Sequence, residues 1–352
     1  MVRQALEQSW PPFVLVLGLL MVGIVAHADG LFSAMGRTLE RLPGGSAALY
    51  AGSLLLVAAV TAVLNLDTAV VFLTPVLVLA ARHRGLDEEP FLYAAVFMAN
   101  ASSLFLPGSN LTNLIVLQEE PVSGGEFAAA LFLPATAACL ATALGLFLLY
   151  RTRLAGSRPA VAPAPAAGSR PVLSSVAVTV VAGLTVVLSE PALPVFAVGL
   201  VTAGCAVAAG EVRASELVRA LGLPALVGLF AAAVALGTLA RAWDAPGRLV
   251  AGAGRIKTAL AGAVTAVAVN NLPAAVLLSA QHIPHPRALL IGLNVGPNLA
   301  VTGSLSALLW FRAARQVEAS ASPVTFTRRG IVLAPLGMAC ALAVALALST
   351  RA

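Results

Sequence analysis

One apolar stretch carries polar residues where a membrane helix should have none, and it limits what this chain can become. Residues 99–116 read Ala99-Asn100-Ala101-Ser102-Ser103-Leu104-Phe105-Leu106-Pro107-Gly108-Ser109-Asn110-Leu111-Thr112-Asn113-Leu114-Ile115-Val116. The stretch is too apolar for a surface loop, yet it holds three Asn, three Ser, a Thr and a Pro-Gly break. In hydrocarbon each unpaired polar group costs several kcal/mol, so irregular backbone survives only where it lines a cavity or packs on protein. The half-helix ends of such a break offer free N–H and C=O groups for a solute or an ion.

The rest of the chain supplies that setting. Of 352 residues, 59% are hydrophobic and only 10% charged, with mean hydropathy +0.95. Soluble domains carry about 25% charged residues. Several runs approach the ~20 apolar residues a spanning helix needs. The composition therefore implies an all-α polytopic membrane protein. The first apolar run follows Arg3 and Glu7 and lacks a small-residue cleavage pattern, so it reads as a retained helix. Net charge is +6, with twenty Arg and one Lys, but the charges fall in loops and form no basic face for nucleic acid. Cys139, Cys205 and Cys340 stand singly in apolar runs, a pattern that predicts neither disulfide nor zinc site.

In chain order, a first repeat (1–150) comprises a helix at 12–28, a hairpin at 47–81 with a polar tip at Asn65-Leu66-Asp67-Thr68, the broken helix at 91–117, and a helix at 127–150. Between the last two lies an acidic loop with Glu119, Glu120 and Glu126. Residues 151–171 form a Pro/Ala linker with four Arg and no acid. The second repeat (172–352) has scaffold helices within 173–240, a hairpin at 256–281 whose tip is Asn270-Asn271-Leu272-Pro273, a broken helix at 289–310, and a helix at 331–349. Asn65 through Val71 lies over Asn271 through Leu277, and Asn100 through Leu114 lies over Asn294 through Leu308 without a gap. Shared polar interruptions mark a repeat in a way that shared apolar residues do not.

Charge placement orients the repeats. With both hairpins re-entrant the chain crosses eight times, both termini lie outside, and fourteen of the twenty-one Arg and Lys fall inside. The halves are then inverted with respect to each other. The loop at 241–257, with three Arg and a Lys, runs against the rule. The second half has two helices (173–209) with no counterpart in the first.

The chemistry concentrates at the tips and breaks. Asp67 is the one carboxylate expected inside the membrane, where an ionisable group is a functional candidate by default. Two readings stand: a proton-coupling group, or a cap on the helix that begins at Thr68. Asn65, Thr68, Asn270 and Asn271 offer neutral donors and acceptors that can replace a solute's hydration shell, or they cap hairpin arms. Ser109, Asn110, Thr112 and Asn113 line the first break; Asn298, Gly303 and Ser304 line the second, where Pro297 interrupts the helix. No phosphate-binding loop or HExxH is present, no cofactor is implied, and the four His lie at helix ends or in loops, away from any serine nucleophile. An enzyme is not expected.

These residues resemble the arsenite/antimonite efflux permeases (arsenical-pump membrane proteins) of the ion transporter superfamily, related in fold to divalent-anion/sodium symporters. The likeness is densest at Asp67-Thr68-Ala69 with Leu73-Thr74-Pro75, at Ser109 through Val116, at Asn270-Asn271 with Pro273, and at Gly296-Pro297-Asn298-Leu299 with Gly303-Ser304-Leu305. The resemblance implies an inverted-repeat fold with two re-entrant hairpins and two broken helices, in which hairpins and broken helices form a mobile transport unit and the other helices a scaffold. It implies proton-coupled export of arsenite or antimonite across the cell membrane by alternating access, with homodimerisation and a soluble ATPase subunit as partners. Four departures stand out. Leu66 holds the place of the family's usual Asn before Asp67, Asn294-Val295 replaces its usual Asp before Gly-Pro-Asn, Ala300-Val301-Thr302 replaces its usual Thr-Pro-Ile, and two expected N-terminal helices have no counterpart, either absent from this lineage or cut off by a truncated gene start. Two rival expectations are a transporter of the same fold carrying another small anion, and a membrane subunit that anchors a soluble partner through the Arg-rich linker.

Overall fold

A computed structural model of the chain describes residues 1–119, 122–156, 160, 171–243 and 245–349. Glu120 and most of the 151–171 linker lie outside the described residues. All regular structure within them is helical. The first half runs α1 (Val2–Ala28), α2 (Leu31–Glu40), α3 (Ser46–Val63), α4 (Leu66–His83), α5 (Glu89–Ser102), α6 (Leu111–Val116) and α7 (Gly124–Leu154). The second runs α8 (Val172–Val187), α9 (Ala192–Ala208), α10 (Ala214–Leu221), α11 (Leu223–Ala242), α12 (Ala245–Ala251), α13 (Arg255–Val269), α14 (Asn271–Leu278), α15 (Pro286–Val295), α16 (Leu305–Gln316) and α17 (Pro323–Ser349). Among the described residues six helical stretches, one of them α10 with α11, are long and apolar enough to cross a membrane, and the apolar α8 and α9 are somewhat shorter.

Local chemistry sets the boundaries that matter. Asn65 caps α4 by accepting from the Thr68 N–H at 2.7 Å, and Asn110 caps α6 by accepting from the Thr112 N–H at 3.2 Å. Ser123 and Glu126 form a reciprocal capping box that starts α7. Buried Asp29 joins two elements, accepting from the N–H groups of Leu31 and Ser174. Helix α1 begins ten residues before the expected Pro12, because Ala5 and Gln8 are buried against neighbours and hold the turns ahead of Pro11 and Pro12.

The hairpins are unequal. Arms α3 and α4 have 18 residues each, whereas α13 and α14 have 15 and 8. Their placement follows the inverted repeat. Each second arm lies on the other half's broken helix, α4 against α16 and α14 against α6. Each first arm lies beside its own break, α3 against 107–109 and α13 against 296–303.

Two packing groups result. Helices α1, α8, α9, α10 and α11 stack on one another, with Gly18 of α1 and Gly199 of α9 bringing those backbones together. The hairpins and broken helices form the other group, and α7 and α17 pair tightly and pack on it, α7 against α5 and α17 against α15 and the 296–299 turn. The seam between the groups is crossed mainly where α1 meets α6 and α11 meets α14.

Candidate functional site

The two breaks meet at the centre of the second group, and a dry amide cluster joins them. Asn100, Ser103, Asn113, Asn294 and Asn298 have no exposed surface, and Asn110 is almost as deeply buried. Asn294 uses its full capacity of two donors and two acceptors. Its Oδ1 accepts from Ser103 Oγ at 2.5 Å and Asn110 Nδ2 at 2.8 Å. Its Nδ2 donates to Asn113 Oδ1 at 2.7 Å and to the Leu290 carbonyl at 2.8 Å. Asn100 Nδ2 donates to Asn298 Oδ1 at 2.8 Å, and Asn298 Nδ2 to the Phe97 carbonyl at 3.1 Å. Asn113 Nδ2 closes the first break by donating to the carbonyls of Ser103 and Leu106. An amide at 294 suits this place because a carboxylate has no proton for Asn113 Oδ1.

Sequence reasoning selected Asn110, Asn113 and Asn298 of this cluster but not Asn100, Ser103 or Asn294. The gapless overlay of Asn100 on Asn294 was the signal for two of them. It marks equivalent positions, and the two are brought to opposite ends of one network.

The first hairpin tip is built differently. Ser109 Oγ donates to the Ala62 carbonyl at 3.1 Å and accepts from the Leu106 N–H at 3.2 Å, so the first break is tied to the end of α3. Around this junction several buried groups have no partner: Thr61 Oγ1, Asn65 Nδ2, Thr68 Oγ1 and, in the first turn of α6, Thr112 Oγ1. Native proteins pair nearly all buried polar atoms, so unpaired ones clustered at a helix break call for an explanation. Thr68 is pressed against α1 at Gly23, where a β-carbon would come within 2.7 Å of its methyl. Asp67 stands in the first turn of α4, where a carboxylate also complements the helix dipole. Among the described residues no Arg, Lys or His side chain bonds to Asp67, Asn65, Thr68 or Thr112.

The second tip is more open. Asn270 has φ 78° and ψ 151°, a strained conformation that glycine alone adopts freely, and caps α14 by accepting from the Leu272 N–H. Its Nδ2 reaches the Thr302 carbonyl at 3.4 Å, and Thr302 Oγ1 donates to the Val267 carbonyl at 2.8 Å, tying this tip to the second break. Asn271 is buried beside it. Gly303 allows the break to fold on itself, since a β-carbon there would lie 2.6 Å from Pro297 Cα. Ser304 shares a short hydrogen bond with Ser306.

With this geometry in view, known proteins place the chain. A family model described as citrate transporter (CitMHS) matches residues 4–296. The chain belongs to the citrate transporter family. That membership places it among multi-pass membrane proteins of the ion transporter superfamily. A Bacillus subtilis (strain 168) protein whose name reads "Putative arsenical pump membrane protein" is 28% identical over 150 residues, 42% of this chain. That match spans 34% of the relative's own length. The crystal structure of the Alcanivorax borkumensis YdaH transporter, described as having an unusual topology, shares the fold. It superposes with TM-score 0.60 at 15% identity, covering 99% of this chain and 88% of that one.

Proposed function

We propose that this citrate-transporter-family member is a proton-coupled exporter of arsenite or antimonite in the cell membrane, working by alternating access. The hairpins re-enter the membrane from opposite sides, and the solute binds near the midplane among Asn65, Thr68, Ser109, Thr112, Asn270, Asn271, Gly303 and Ser304. The observation that carries the reading is the chemistry of the first tip. Asn65 and Thr68, whose Nδ2 and Oγ1 atoms have no partner, flank a single carboxylate, Asp67, to which no cation is bonded among the described residues. A neutral trihydroxide both donates and accepts hydrogen bonds, which matches those groups. Asp67 takes up a proton on one face and releases it on the other. Asn110, Asn113 and Asn298, also expected at the site, have their amides engaged in the central cluster and serve the solute by holding the breaks in shape.

A second reading is favoured by the family's description: a small carboxylate as cargo, held by the helix N-termini at the breaks. Both are tested by uptake into everted vesicles of arsenite or citrate, with and without a proton gradient, in wild type and Asp67→Asn. Arsenite accumulation that needs both the gradient and Asp67 is the expected result. Gradient-driven citrate movement without arsenite movement replaces the first reading with the second. Arsenite accumulation that survives Asp67→Asn returns Asp67 to the role of a helix cap.

A further inference from the structure

The cluster at the centre and the contacts at the seam differ in one physical respect: the first is enclosed by packed side chains, whereas an open cavity adjoins the second. Bonds in a dry site are costly to open, because the parted groups find no water. Opening the central cluster is therefore costlier than opening contacts beside a cavity, where water can replace them.

Gln8 of α1 sits at such a place. Although 6% exposed, it bridges the two packing groups. Its Nε2 faces the Ile115 carbonyl in the last turn of α6 at 3.3 Å, and the Ser279 carbonyl and Oγ at the end of α14 at 3.4 and 3.3 Å. Its Oε1 accepts from Arg241 Nη2 of α11 at 2.9 Å, while Arg241 Nη1 is steadied by the Gly237 carbonyl at 3.0 Å. One side chain thus ties α1 and α11 on one side to α6 and α14 on the other. A cavity of about 620 Å³ opens directly on it, lined by Gln4, Gln8, Gln118, Gln281 and Arg241. Four of the chain's five glutamines face this space. Each carboxamide can donate and accept, so water or a neighbouring amide can take over the partners of Gln8 as they separate. The bonds toward the hairpin are long, whereas the bond to Arg241 is short, so the junction parts on the α6–α14 side and Gln8 stays with α11.

We propose that Gln8 is a positioning residue of the transport cycle: it docks the end of the second hairpin and of α6 onto the α1–α11 pair, and this docking is released each time the transport unit moves. The inference rests on the transporter reading above but not on the identity of the cargo.

The test uses the full chain with Cys139, Cys205 and Cys340 replaced by alanine. In Gln8→Cys/Ser279→Cys, a short reducible bis-thiosulfonate cross-linker should lower transport of whichever of arsenite and citrate the cysteine-free parent carries by at least tenfold, and reduction should restore it. Full transport by cross-linked protein would overturn the proposal. A second measurement needs no transport. Labelling of Ser279→Cys by a membrane-impermeant maleimide should speed up at least threefold when Gln8→Leu, which keeps the bulk and removes the bonds, is added. An unchanged rate in protein that elutes as a single folded species would also overturn it. A parent that moves neither cargo sinks the functional reading, and the labelling rate then decides the role of Gln8 by itself.

Discussion

Replacing Asn294 by alanine should damage the fold more than any other single change among the polar residues of the breaks. Four hydrogen bonds are lost, but the cost lies in what remains. Ser103 Oγ keeps its bond to the Asn100 carbonyl, and the Leu290 carbonyl remains within its helix. Asn110 Nδ2 and Asn113 Oδ1 keep no partner. An orphaned buried donor or acceptor costs about 1–3 kcal/mol, so the pair costs about 2–6 kcal/mol before any cavity is counted. At about 2 °C per kcal/mol for a chain of this size, the midpoint of thermal unfolding should fall by roughly 4–12 °C. The assay is tryptophan fluorescence or size-exclusion after heating, in one detergent, for wild type and variant side by side. Thr112→Val is the matched control. It removes a buried hydroxyl that has no partner, so stability should hold within about 0.5 kcal/mol or rise, while transport falls if the hydroxyl serves the solute. An Asn294→Ala midpoint within 2 °C of wild type, or a larger loss in Thr112→Val, would show that the central cluster does not brace the breaks.

Two further substitutions probe the second half. Asn270→Gly should hold or raise stability, because the strain it relieves at φ 78°, ψ 151° offsets the lost cap bond, whereas Asn270→Val, which keeps the strain and loses the cap, should cost about 1–3 kcal/mol; paired melting curves measure the difference. Gly303→Ala drives a methyl to 2.6 Å from Pro297 Cα and 2.7 Å from its carbonyl oxygen, so the break must open at a cost of about 1–3 kcal/mol. Limited proteolysis near Thr302, which is exposed, should then accelerate, and an unchanged digestion pattern would count against a tightly folded break.

The sequence by itself determined the membrane class and an all-helical fold whose apolar runs are interrupted by polar residues. The reason is energetic. A polar residue in hydrocarbon is costly enough that its presence in an apolar run already reports a tip, a break or a site, whatever it touches. Asn65 and Asn270 were legible for a second reason, since a cap bonds to its own next turn and needs no distant partner. What only the tertiary structure decided is which polar groups satisfy one another. An asparagine amide accepts many partners, so nothing in the composition pairs Asn100 with Asn298 or gathers Ser103, Asn110 and Asn113 around Asn294, residues more than 180 positions away. The same holds for Gln8, which reads in the sequence as one more polar residue ahead of a spanning helix and becomes a bridge only once α6, α11 and α14 close around it. Which hydroxyls are left without partners, and are therefore available to a solute, emerges only after all the other pairings have been made.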